Sequence, residues 1–317
     1  MLIPQDGECT IHVYGVNYEQ AKAEGKGFRV ELVKRDENLM AKIAERAVDS
    51  KIKKLAVDSL GVESWRSLAN EAQGKLNLEV KGNFVSDLRK VKDKKEIELL
   101  RKAAELTSEG MKTAYAVLSP GRREHEIAAE IEYAMRKRGS SGTAFETSVA
   151  SGARSAFPHG GCSERIIREG DLVVVDFGAV CKFYRSDMTR TLVAGKPSEK
   201  QRRLYQTVKT AQEKAFKSLR SGVKACDVDA VARRVIEDAG YGEFFVHSLG
   251  HGVGLEVHEP PTLSSGSEEV LAAGNVVTDE PGVYLVGYGG VRIEDTVLVQ
   301  KEGAEKLTKG PYSLGEE

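Results

Sequence analysis

The period of the apolar positions changes along the chain, and the changes divide it. Over residues 1–80 short alternating runs trade with helical ones. Thr10–Tyr14 and Phe28–Val33 read as strands, and Asn38–Asp49 carries apolar residues at helical spacing. Lys54–Val57, Val62–Ala72 and Leu78–Val80 read as strand, helix and strand. That alternation predicts a small α/β unit. No glycine-rich loop follows any of these strands, so the unit is not read as nucleotide-binding. The pattern resets around Gly82–Lys92. From there Ile97, Leu100, Ala104, Met111, Tyr115 and Leu118 lie on one face of a long helix, with Asp93 and Glu96 as its cap. Ser119-Pro120-Gly121 ends it. A second helix, about Glu124–Arg138, keeps Ile127, Ile131 and Met135 together and stops at Gly139.

The same design then recurs. Ser198 and Gln201 cap another long helix, which ends near Leu219; a shorter one, about Val228–Ala239, stops at Gly240. The two helix pairs align at a constant offset of 101: Leu118 with Leu219, Ile127 with Val228, Met135 with Ile236, Gly139 with Gly240. Each pair precedes a histidine-bearing segment and two strands joined by a turn. A two-helix, β-rich unit used twice, with a cleft at the junction, is the expectation. The chain is thus expected to be α+β, with a small α/β domain over 1–90 and a duplicated domain over 91–317.

Candidate chemistry gathers at the turns of the duplicated unit. In Phe244–Pro261, three of the six histidines (His247, His251, His258) sit among glycines. Imidazole ligates divalent metals and shuttles protons. Glycine lets backbone approach an ion or a substrate. Asp176 ends the run Leu172–Asp176, and Asp187 follows eleven residues later on a return strand. A hairpin brings such positions to roughly 5 Å of each other. A carboxylate at the end of an apolar run is costly to bury unless it is paired or holds a metal. The second unit repeats this with Glu280 and Glu294, fourteen residues apart. Four carboxylates and one imidazole suit two divalent ions, and mixed O/N donors favour Mn, Co, Zn or Fe. Asp279 should face away from Glu280 and reads as a solvated strand charge.

Composition narrows the classes. Of 317 residues, 40 % are hydrophobic and 30 % charged, as in a soluble globular protein, and the net charge is −1. Nucleic acid and membrane surfaces therefore have no electrostatic case. No apolar run approaches the roughly 20 residues of a membrane helix. The N-terminal MLIPQDGECT does not read as a signal peptide. Four cysteines (Cys9, Cys162, Cys181, Cys226) form no CxxC pair, which points to free thiols in a reducing cytoplasm.

Five segments carry a resemblance that covers nearly the whole chain: SGARSAFPHG (151–160), VVVDFGAV…SDMTRT (173–191), HSLGHGVGLEVHEPP (247–261), VVTDEPGVY (276–284) and VRIEDTVLV (291–299). In these the chain resembles the pita-bread-fold metallopeptidases, which include methionine aminopeptidase, aminopeptidase P, prolidase and creatinase. The resemblance implies metal ligands at Asp176, Asp187, His251, Glu280 and Glu294. Asp187 and Glu294 would bridge two divalent ions, with Asp176 on one and His251 and Glu280 on the other. It also implies substrate-facing histidines at His159, His247 and His258. Arg292 and the N-terminal α/β part are similar to aminopeptidase P and prolidase, whereas methionine aminopeptidases usually carry Gln at the Arg292 position. Arg292 offers its guanidinium to a ligand carboxylate or a substrate carboxylate. Expected from the resemblance is a homodimeric peptidase that acts on small peptides and removes an N-terminal residue preceding proline. A methionine or broad aminopeptidase, and a partner-binding protein that keeps the fold without catalysis, are the alternatives. Two departures stand out: the N-terminal part is short, and Asp279 occupies a position usually apolar.

Overall fold

The computed structural model describes residues 1–315, which divide into two compact units, Met1–Asp87 and the chain from Leu88 onward. In the first unit β1 (Thr10–Tyr14) and β2 (Arg29–Val33) pair in parallel around the crossover helix α1 (Gly15–Glu24). The sequence pattern misses α1 because none of its residues is buried, so it has no apolar stripe to read. Helix α2 (Leu39–Asp49) starts where the Asn38 side chain accepts from the Met40 and Ala41 amides. β3 (Lys54–Val57), α3 (Val62–Ala72) and β4 (Asn77–Val80) complete a second parallel pair. Met40, Ala44 and Leu68 form the small core. A short helix, α4 (Phe84–Arg89), lies in the stretch where the apolar pattern resets and also buries no residue.

The second unit opens with α5 (Lys94–Val117), held by a capping box between Asp93 and Glu96, and α6 (Glu124–Lys137). Strands β5 (Ser148–Ser151), β6 (Leu172–Phe177) and β9 (Met188–Val193) form an antiparallel sheet, with β7 (Val180–Cys181) and β8 (Tyr184–Arg185) as a ribbon between the last two. The second half runs α7 (Glu199–Ser218), α8 (Ala225–Asp238), β10 (Gly250–Gly252) and β11 (Glu259–Leu263). It ends with β12 (Val276–Asp279), β13 (Gly282–Leu285), β14 (Gly289–Arg292), β15 (Asp295–Gln300) and β16 (Gly303–Lys306). Here the sheet order is β11-β10-β12-β15-β16, and β13 and β14 form the ribbon.

The duplication is visible in the packing. Leu118 and Leu219 each close the long helix of their half, and Gly139 and Gly240 each end the shorter one in the left-handed region (φ +104° and +81°). Ile127 and Met135 are buried in one core, Val228 and Ile236 in the other. One feature differs from the sequence expectation of two plain hairpins. The paired arms are β6 with β9 and β12 with β15, and each return arm is broken by a kink. Glu280 lies between β12 and β13, ahead of Pro281, whose missing N–H ends the ladder. Asp187 and Glu294 lie at the matching breaks before β9 and β15.

Candidate metal centre and substrate cleft

All nine residues singled out above, His159, Asp176, Asp187, His247, His251, His258, Glu280, Arg292 and Glu294, line one cavity of about 690 Å³ in the second unit. Asp176 is in β6 opposite Thr189 of β9. The Asp187 backbone is pinned at its kink, its amide donating to Thr296 Oγ1 (3.0 Å) and its carbonyl accepting from the same hydroxyl (2.8 Å). Glu294 is pinned likewise: its amide donates to the Thr189 carbonyl (3.0 Å), and its Oε2 accepts from Thr189 Oγ1 (2.5 Å). The Glu280 amide donates to the Leu249 carbonyl at 2.9 Å. The His251 amide donates to Thr278 Oγ1, and that hydroxyl donates to Glu280 Oε1, both at 3.0 Å. Gly250 is required beside it, because a Cβ there would stand 2.1 Å from the Thr278 carbonyl oxygen. Gly250 and Gly252 thus serve strand contact, where the sequence suggested room for a ligand.

The donor atoms converge. Ligand atoms of Asp187, His251 and Glu294 lie within 4.8 Å of one another. His251 Nε2 is 3.2 Å from Glu280 Oε1 and 3.8 Å from Asp187 Oδ2. The other ring nitrogen, Nδ1, is 3.1 Å from the Gly252 carbonyl, which leaves Nε2 toward the carboxylates. Asp176 Oδ1, Asp187 Oδ1 and Glu294 Oε1 are buried with no hydrogen-bond partner. An unmet buried polar atom costs about 1–3 kcal/mol, and three face one cavity. Burial and the neighbouring carboxylates push Asp187 and Glu294 well above the usual carboxylate range. Glu280 goes the other way: burial raises it, but the hydrogen bond and charge of His251 bring it down to about 2. His251 is correspondingly raised to about 9, Glu280 and Asp187 outweighing its burial. Such a cluster is short of positive charge in a form that divalent cations supply, and its oxygen-rich donor set fits them.

Arg292 is committed. Its Nη2 donates to Asp176 Oδ2 (2.5 Å), Nε to Thr189 Oγ1 (3.1 Å), and Nη1 to the Pro158 carbonyl (3.1 Å) and Tyr284 OH (2.9 Å). Of the two partners weighed from the sequence, the structure shows the ligand carboxylate. Tyr284 also meets His247 Nε2 at 2.9 Å. Burial lifts its hydroxyl to about 12, with Arg292 pulling the other way. The His251 and His258 rings lie 4.2 Å apart between centroids. The other two histidines, His12 and His125, are in the first unit beside Glu31 and on the surface near Glu164.

Tyr284, Thr189, Thr278 and Thr296 were missed from the sequence. Thr278 and Thr189 stand two residues from Glu280 and Asp187, hence on the same side of their strands, and that parity was a usable signal. Asp279 was read as solvated; it is instead fully buried, with neither carboxylate oxygen hydrogen-bonded. The face of β12 turned from the cavity lies against α7 rather than water.

Four carboxylates and an imidazole around orphaned oxygens, on a duplicated two-helix β unit, define a dinuclear metallohydrolase of pita-bread fold. Residues 98–301 match metallopeptidase family M24, and the chain belongs to that family. It is 43 % identical over 318 residues to an Xaa-Pro dipeptidase of Pyrococcus furiosus, covering 99 % of this chain and 88 % of that one. An Xaa-Pro dipeptidase structure from Bacillus anthracis superposes with a TM-score of 0.90 at 37 % identity, over 96 % of this chain and 85 % of that one. An X-Pro aminopeptidase structure from Thermotoga maritima gives 0.86 at 39 % identity, over 96 % and 86 %.

Proposed function

We propose that this chain is a metallo-exopeptidase that hydrolyses the peptide bond preceding proline in small peptides, as an Xaa-Pro dipeptidase or aminopeptidase P. The observation that carries it is the cluster of buried, unpartnered carboxylate oxygens facing the cavity beside His251. Asp187 and Glu294 would bridge two cations, Asp176 serving one and His251 with Glu280 the other. Mn, Co, Zn or Fe suits these donors. When bound, such a pair lowers the pKa of water toward neutrality and polarises a carbonyl.

The remaining work falls to the chain's own groups. Glu280, held ionised by His251, takes the proton of the attacking water and returns it to the departing proline nitrogen. His258 donates to the oxygen of the scissile carbonyl as charge develops on it, and His247, whose Nδ1 is engaged with the Ser248 carbonyl (2.8 Å), positions that carbonyl from a fixed ring. The Nε2 of His247 is fixed by Tyr284. His159 holds the substrate from the opposite wall. Arg292 holds Asp176 in place through one charge-assisted hydrogen bond, from Nη2 to Oδ2. The enzyme is read as a homodimer in a reducing cytoplasm, in keeping with four unpaired cysteines.

Ala-Pro, Ala-Pro-Ala and Met-Ala-Ser, offered with Mn or Co, test the assignment. Cleavage of the proline peptides alone is expected. If metal-loaded protein cleaves none of the three, the assignment fails; preference for Met-Ala-Ser would move it to a methionine-type enzyme.

A further inference from the structure

The hairpin loop that carries His258 is held from beneath by a charge cluster outside the metal site. Glu259 follows His258 and begins β11, and its side chain is only 3 % exposed. The carboxylate turns away from solvent under the loop, into space that exists because residue 254 is glycine: a Cβ there would lie 2.5 Å from Glu259 Oε1. Two cations meet it. Lys92 Nζ, with a side chain 1 % exposed, is 2.7 Å from Oε1. Arg89 Nη2 donates to Oε2 at 2.5 Å, and its Nη1 reaches Glu256 Oε1 at 3.2 Å. The loop closes on itself through the Gly254 amide and the Glu256 carbonyl (3.0 Å).

Both cations come from the first residues of the second unit, and that segment is itself fixed. The Lys92 amide donates to the Gly274 carbonyl (2.9 Å), Val91 forms a bridge with Asn275, and Asn275 Nδ2 donates to the Lys90 carbonyl (2.9 Å). Asn275 immediately precedes β12, the strand that leads into Glu280. One anchored segment therefore reaches both the strand leading to the metal site and the loop bearing a substrate histidine.

We infer that Arg89 and Lys92, acting through Glu259, are positioning residues that fix the His258 ring against the reacting carbonyl. A buried carboxylate with two cations in one geometry restricts the residue next to it, and small displacements of a transition-state donor cost rate. The inference rests on the role given to His258 above.

The test uses metal-loaded protein with Lys92→Met, the nearly isosteric Glu259→Gln, and His258→Ala. On Ala-Pro, Lys92→Met lowers kcat about 10–100-fold, the range for loss of an outer support, with KM nearly unchanged. In the His258→Ala background the same substitution has little further effect. An equal loss in both backgrounds, or an unchanged kcat, overturns the inference. A second readout needs no turnover. In zinc-loaded protein with labelled histidines, the ring resonances that vanish in His258→Ala shift in Lys92→Met and Glu259→Gln, while those that vanish in His247→Ala stay. Unmoved His258 resonances overturn the clamp even if Ala-Pro is not a substrate; inactivity of the wild type on Ala-Pro, with the resonances shifting, strikes the functional assignment instead.

Discussion

Glu280 and Glu294 face the cavity, whereas Asp279 and Asp295, one residue away along the same chain segments, face the opposite side of the sheet as a cross-strand pair. Asp279, Glu294 and Asp295 are buried, and Glu280 is half-buried. Asp295 is fully engaged: it accepts from Arg190 (3.0 Å), Thr308 (2.9 Å), Gln212 (2.9 Å) and Tyr312, and Lys306 stands 3.1 Å away. Those cations hold it below the usual range despite its burial. Glu294 has one oxygen held by Thr189 and one with nothing. Burial alone therefore does not mark a functional carboxylate. What separates the two is whether the protein finishes satisfying the group or leaves oxygens open toward a cavity.

The sharpest way to break this comparison is to remove the acid on one side and the acid's partner on the other. Glu294→Ala should lose the metal pair and with it activity, by far more than the 10–100-fold typical of outer supports. The first unit should stay folded, since its core of Met40, Ala44 and Leu68 is its own. Elemental analysis after dialysis, together with a peptide assay, decides; two ions retained at full activity would remove Glu294 from the site. On the other side, Arg190→Met leaves Asp295 without its fully buried partner. Breaking a buried pair costs about 3–5 kcal/mol. A urea midpoint unchanged from wild type would show that Lys306 and the neutral donors suffice.

A smaller effect sharpens the picture on the cavity side. Tyr284→Phe removes the hydroxyl shared by His247 and Arg292, and kcat/KM should fall about 10–100-fold with metal content unchanged. Metal loss in that variant would mean that Tyr284 acts through Asp176 instead.

Much of this architecture was legible in the sequence, for stated reasons. The helix pairs showed because each has a continuous apolar stripe, as α1 and α4 do not. The candidate ligands showed because two apolar runs end in acids at matching places. The breaks before β9 and β15 did not show. The Arg292–Ile293–Glu294–Asp295 stretch is uniformly buried although three of its four residues are charged, so polarity along it does not mark where one pairing partner is exchanged for another. Tyr284 was hidden for a related reason: a tyrosine in an apolar strand looks like core until its hydroxyl partners are known.

Asp279 is the acid that fits neither side, and its removal is the gentlest test. It is fully buried like Asp295, yet both of its oxygens lack hydrogen bonds, and it does not line the cavity. Burial pushes its carboxyl well above the ordinary 3.8; Lys306 pulls it down, while Asp295 and Glu280 push it further up. Its folded pKa is thus raised. Its contribution to stability is fully present below the unfolded value and is lost as pH rises toward the folded one. Asp279→Val suits the strand and deletes an unmet polar group, so it should stabilise metal-free protein by about 1 kcal/mol or more at neutral pH. The gain should shrink on acidification and level off below the ordinary 3.8, where the wild-type carboxyl is protonated in both states. Urea midpoints of metal-stripped wild type and variant across that range measure it. A variant that is less stable throughout, or a gap that does not widen with pH, would mean that Asp279 is ionised and supported by Lys306, and so belongs with Asp295 after all.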